Sequence, residues 1–107
     1  MREKDIVLTQ ITQSDGQIKL RPVLILRKMP TFDDFLVCGI STQLYQEIKD
    51  FDVVLEVDTQ NNLKAKSLIR LSFLAVAPSK QLLKTVGSID TTLHKLLLNR
   101  LSTYLTT

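Results

Sequence analysis

Arg21, Arg70 and the run Ser41-Thr42-Gln43 are the residues of this 107-residue chain whose types suit them to handle a phosphate group. A guanidinium offers two parallel N–H donors to phosphate oxygens and keeps its charge, so it can hold the group and offset extra negative charge in a transition state. Hydroxyl and amide groups can orient a sugar or the non-bridging oxygens. With RNA the nucleophile need not come from the protein, because the 2′-hydroxyl lies beside the scissile phosphate. The protein then supplies position and charge, and no metal is required. Taken singly these residue types are commonplace at strand ends, where a solvated polar rim is their bland reading.

Other chemistry is sparse. His94 is the only histidine, so a two-histidine acid–base pair is impossible within one chain. It falls one position from the leucine stripe of the final helix, which predicts a surface or interface position. Cys38 is the only cysteine, inside "FLVCGI"; it forms no disulfide within the chain and reads as a small buried hydrophobe, not a nucleophile. No Cys/His/Asp/Glu cluster has metal-ligand spacing, so neither a metal nor another cofactor is expected. No phosphate-cradling glycine loop is present. Asp33 and Asp34 sit in a polar turn.

The elements that must hold these residues are mostly strands. "DIVLTQITQ" (5–13) is rich in β-branched residues and reads as a strand. "SDGQ" (14–17) carries Asp-Gly, a strong hairpin signal, because glycine accepts the positive φ such turns need. "IKLRPVLILRK" (18–28) is the return strand, and Pro22, lacking an N–H, belongs at an edge, a bulge or a strand start. "FLVCGISTQL" (35–44), "FDVVLEVD" (51–58) and "SLIRLSFLAVA" (67–77) follow as strands, with Gly39 marking a bulge or a close backbone approach. "LLKTVGSI" (82–89) fits a helical turn or a short strand, and the strand is preferred. Asp90 or Thr91 caps a helix on which Leu93, Leu96, Leu97, Leu101, Tyr104 and Leu105 recur at helical spacing. Short strands followed by one amphipathic helix imply a mainly β (α+β) fold: a small antiparallel barrel or rolled sheet with a C-terminal helix beside it.

Length supports one domain, residues 1–107, large enough to bury a core without disulfides. The net charge of +3 hides an asymmetry: residues 1–63 hold seven Lys/Arg against ten Asp/Glu, and residues 64–107 seven against one. A basic half attracts phosphate backbones at long range, although any single lysine reads first as solvated surface. No run approaches a transmembrane span, and "MREKDIVL" lacks the apolar core of a signal peptide, so a cytoplasmic protein without membrane contact is expected.

The ordered pieces "KDIVLTQ", "SDGQIKLRPVLIL", "CGISTQ", "SLIRLS" and "NRLSTYLT" together resemble the MazF/PemK family of toxin endoribonucleases, from about Lys4 to Thr106. The Arg21-Pro22 step before an aliphatic strand is the most specific part. The resemblance implies an SH3-like barrel with a C-terminal helix, working as a homodimer. It also implies metal-independent cleavage of single-stranded RNA to a 2′,3′-cyclic phosphate. A cognate antitoxin, small and acidic, would block the groove, and DNA would be reached only through that partner. Carried over by residue, Arg21 stabilises the pentacoordinate phosphate and Ser41 supplies the hydroxyl beside it, with Thr42 its rival if the register differs by one. Lys19, Thr42, Gln43 and Arg70 are the residues expected to contact RNA.

Two departures stand out. Ser72 occupies the position where the PemK pattern has an aspartate proposed as base, and serine at its ordinary pKa cannot do that work. Lys4 stands where the family has a glycine, and the loop before Arg21 is short, with Lys19 its only basic residue. A second reading is therefore a catalytically weak or inactive SH3-like module that binds RNA or a peptide partner.

Overall fold

The computed structural model describes residues 1–12 and 14–107, in the order β1 (Asp5–Thr12), β2 (Ile18–Lys28), β3 (Asp34–Ser41), β4 (Val53–Leu55), β5 (Ser67–Pro78), β6 (Leu82–Ser88) and α1 (Thr91–Thr106). Gln13, the last residue of the first expected strand, lies outside the described residues. The strands form one antiparallel sheet in the order β4-β5-β3-β2-β1-β6, a rolled, mainly β fold with a helix, as expected. The Asp-Gly hairpin joins β1 to β2: Gly16 has φ +86°, and Asp15 Oδ1 accepts the Gln17 N–H at 2.9 Å. The ambiguous stretch 82–89 is a strand, and the fourth expected strand shrinks from 51–58 to Val53–Leu55.

The run Val23-Leu24-Ile25-Leu26 is buried at every position because successive side chains enter two different cores. Leu24 and Leu26 join Ile6, Cys38 and Ile69 beneath Leu97 and Leu101 of α1. Val23 and Ile25 join Val7, Phe35, Val37 and Leu82 on the opposite face. A strand covered on both faces needs an uninterrupted apolar run rather than alternation. Each fully buried aliphatic side chain contributes about 1.5–3 kcal/mol, so β2 is held firmly on both sides just beyond Arg21.

α1 begins at Asp90, whose Oδ1 accepts the Leu93 N–H at 2.7 Å and caps the helix. Its apolar stripe is narrower than the leucine spacing suggests: Leu97 and Leu101 are buried, whereas Leu96, Tyr104 and Leu105 are exposed. The surface or interface position expected for His94 is overturned. The ring is buried, and Nε2 donates to the Leu26 carbonyl at 2.8 Å. A polar ring can replace a leucine there because it satisfies a strand carbonyl that the helix covers.

Two further points bear on the site. Pro22 lies inside β2, opposite Leu8 of β1, but pairing with β3 starts only at Val23↔Gly39, so on that side no ladder asks for its missing N–H. The sheet's outer strands, β4 and β6, are bridged by the turn around Gln60–Asn62. Ser88 donates its N–H to Gln60 O at 3.0 Å, and the buried Asn61 donates from Nδ2 to Glu56 O at 2.8 Å. Gly87 permits this closeness, since a Cβ there would collide with the Asn61 carbonyl oxygen.

Candidate active site

Beyond the Val23↔Gly39 pair, β2 and β3 part, and a cavity of about 330 Å³ opens between them. β2 lends Arg21 and Pro22, the end of β3 and the following turn lend Ser41, Thr42 and Gln43, and β5 lends Arg70. Five of the six expected site residues thus meet at one cavity although up to 49 positions separate them in sequence (21 to 70). Lys19 does not line it; it lies two residues up β2, on the same side of the strand as Arg21.

The lining offers donors. Arg21 is exposed, and among the described residues no carboxylate forms an ion pair with it or with Arg70. Arg70 Nε is buried without a hydrogen-bond partner among the described residues, a condition that costs about 1–3 kcal/mol until an acceptor arrives. Its guanidinium lies 5.7 Å from the centroid of the Phe73 ring, within cation–π range. Ser41 Oγ accepts the Gln43 N–H at 3.0 Å, which leaves the hydroxyl proton to be given away. Gln43 Oε1 accepts from the Tyr45 hydroxyl and, at 3.4 Å, from Gln46 Nε2, which turns its own amide N–H₂ into a spare donor. Guanidinium, hydroxyl and amide donors around a cleft free of carboxylates suit an anion.

A bulge in β5 shapes one wall. Gly39 pairs with Arg70 while the adjacent Cys38 pairs with Leu74, so Leu71, Ser72 and Phe73 stand opposite a single step of β3. Gly39 gives the Phe73 ring its room: a Cβ there would touch Phe73 Cδ1 at 3.4 Å. The bulge is tied down by Asp52, only 2% exposed. Its Oδ1 accepts the Ser72 N–H at 3.1 Å, and its Oδ2 accepts the Ser72 hydroxyl at 3.2 Å and the Ile48 N–H at 3.0 Å. One carboxylate therefore links the strand carrying Arg70 to the 44–48 turn that follows Gln43. Ser72 is engaged with Asp52 and is not among the residues lining the cavity.

Other candidates for chemistry are committed elsewhere. Burial, with the Asp52 charge adding to it, pushes the Cys38 thiol up to about 12, so it stays protonated at neutral pH. Asp33 is exposed; bonds from Ser79 and Lys28 hold its carboxyl below the ordinary 3.8. Among the described residues no three His, Cys, Asp or Glu side chains gather as a metal site, and no helix is long and apolar enough to cross a membrane. Sequence reasoning missed Phe73 and Asp52. The signal for Asp52 was a lone acid between Phe51 and Val53, where a carboxylate without backbone donors would be costly.

Among the described residues, rolled sheet, single helix and donor-lined cleft define a small barrel-like β protein. A family model described as "PemK-like, MazF-like toxin of type II toxin-antitoxin system" matches residues 2–105, and the chain belongs to that family. The family's members are ribonucleases. Among solved structures, the Mycobacterium tuberculosis toxin MazF-mt6 superposes with a TM-score of 0.69 at 20% identity, over 95% of this chain and 96% of that one, a likeness of fold. No curated protein matches the chain.

Proposed function

We propose that the chain is a metal-independent endoribonuclease toxin that cleaves single-stranded RNA through attack of the substrate's own 2′-hydroxyl. The observation that carries this reading is the convergence of Arg21, Arg70, Ser41, Thr42 and Gln43 on one cleft without a carboxylate. In the step, the 2′-oxygen bonds to phosphorus, the P–O5′ bond breaks, and the products are a 2′,3′-cyclic phosphate and a 5′-hydroxyl end. The 2′ proton leaves to water, and the departing 5′-oxygen takes one up. Arg21 offsets the charge of the pentacoordinate phosphate and the Ser41 hydroxyl donates to a non-bridging oxygen. Arg70, Thr42 and Gln43 position the strand, and Lys19 meets a flanking phosphate. Arginine keeps its proton in proteins, so its role is charge and not proton transfer.

The same reading makes residues 1–107 one cytoplasmic domain that works as a homodimer and is silenced by a small acidic antitoxin. Its test is incubation of the purified chain with a long single-stranded RNA in EDTA. Fragments ending in cyclic phosphate are the expected result; intact RNA, with no growth defect on expression, overturns it. One observation favours the second reading, an RNA- or peptide-binding module without turnover: the cleft lining includes neither a carboxylate nor an imidazole to act as base. That module would show salt-sensitive binding and no fragments.

A further inference from the structure

A second cavity, of about 490 Å³, adjoins the first and shares Pro22, Thr42 and Ser67 with it. Leu8, Leu63 and Val86, all half-buried, line it together with Thr85, and Lys64 and Lys84 are exposed lining residues. Lys64 follows the turn that bridges the outer strands, whereas Lys84 stands on β6. Neither lysine forms an ion pair among the described residues, while their neighbour Lys66 is bound to Glu56 at 3.2 Å.

We infer that this cavity is a subsite for the nucleotide adjoining the scissile phosphate, a reading that rests on the function proposed above. An aliphatic lining takes an unstacked base out of water by apolar contact, and cations beside it meet the phosphates on either side. The volume falls within the roughly 300–1,000 Å³ of pockets that hold small molecules. Charge settles the direction of the strand. Both adjoining cavities lack a lining carboxylate, whereas a third, of about 680 Å³, presents Glu3 and Asp5 beside its cations and shares no lining residue with the first. A polyanion leaving the Arg21 cleft therefore runs past Thr42 and Ser67 toward Lys64 and Lys84. An acidic peptide also satisfies two lysines, but the continuity with a donor-lined, carboxylate-free cleft and the apolar lining favour RNA.

The test compares wild type with the double variant Lys64→Gln/Lys84→Gln, both side chains being exposed, and with Lys66→Gln as control. Binding of a labelled single-stranded oligonucleotide with 2′-fluoro sugars, which lacks the attacking hydroxyl, is measured against salt, and KM is measured on cleavable RNA. Each single-strand phosphate contact is worth about fourfold at ~0.15 M salt and about 0.7 in the slope of log affinity against log salt. The double variant should bind roughly tenfold more weakly, lose about 1.4 from that slope and show a matching rise in KM. Lys66→Gln should match wild type. A double variant with unchanged affinity and slope overturns the subsite while wild-type cleavage leaves the function standing. So does one that loses only inhibition by poly-glutamate. A wild type that neither binds nor cleaves RNA removes the proposed function itself, and the subsite with it.

Discussion

The two ends of β2 carry the same residue type in opposite circumstances. At its far end Arg27 pairs with Glu3 at 3.6 Å, and next to it Lys28 pairs with Asp33 at 3.4 Å. There Lys4 also donates to Thr91 Oγ1 at 3.0 Å, and the Lys28 N–H donates to Glu3. At the near end Arg21 and Arg70 face a cleft without one carboxylate in its lining. Same strand and same cation thus serve two tasks: one end ties the β1 approach and the β2–β3 turn to the sheet, and the other keeps its charge for a visitor. Pairing, more than residue type, separates the arginine that holds the fold from the one that is available to chemistry.

The contrast breaks most sharply on exchanging the two arginines for alanine. Arg21→Ala should lower the cleavage rate by about 10²–10³-fold, the usual loss when a transition-state donor is removed, with an unchanged melting temperature because the side chain is exposed. Arg27→Ala should leave the rate alone and cost no more than about 1 kcal/mol, as exposed ion pairs do. Equal rate losses in the two variants would end the distinction.

Asp52 sits between fold and site and sharpens the comparison next. Asp52→Ala removes the acceptor that the Ser72 and Ile48 N–H groups share, and a hydrogen bond to a charged group is worth at most about 1.5–3 kcal/mol. Denaturant unfolding should report that loss, and cleavage by the folded fraction should fall as the Arg70 wall loosens. Asp52→Asn, which keeps a carbonyl acceptor, should recover part of both.

The smallest effect lies at the paired end. Asp33 has a lowered pKa in the folded chain, so its contribution to stability is present above the ordinary carboxylate value and is lost as pH falls through the lowered one. Thermal melts across the acid range should show a shallower loss for Asp33→Asn than for wild type, with the two curves converging below the folded-state value.

Much of this architecture was legible in the chain. The Asp-Gly turn, the Val23–Leu26 run and the Asp90 cap each act through neighbours within a few residues, so periodicity and turn chemistry reach them. The meeting of Arg21, Ser41 and Arg70 needs three strands in register, and only the family resemblance placed them together. His94 and Asp52 were unreadable for a related reason: a buried polar side chain is tolerated only where distant backbone partners wait, Leu26 O for one and Ser72 and Ile48 N–H for the other. Lys4 shows the reverse. It adopts φ +80°, a left-handed backbone that glycine accepts at no steric cost, and the glycine expected there from the family resemblance would suit it.

The turn around Gln60–Asn62 joins the sheet's outer strands through a few individual bonds, from Asn61 to Glu56 and from Ser88 to Gln60, with no continuous ladder between β4 and β6. A ladder resists separation all along its length, whereas a stitched seam can open one bond at a time while the strands on either side stay paired. The roll is therefore closed at this point by a seam of single bonds and not by a ladder. Loosening at that seam would leave untouched the register of β1, β2 and β3 that holds Arg21.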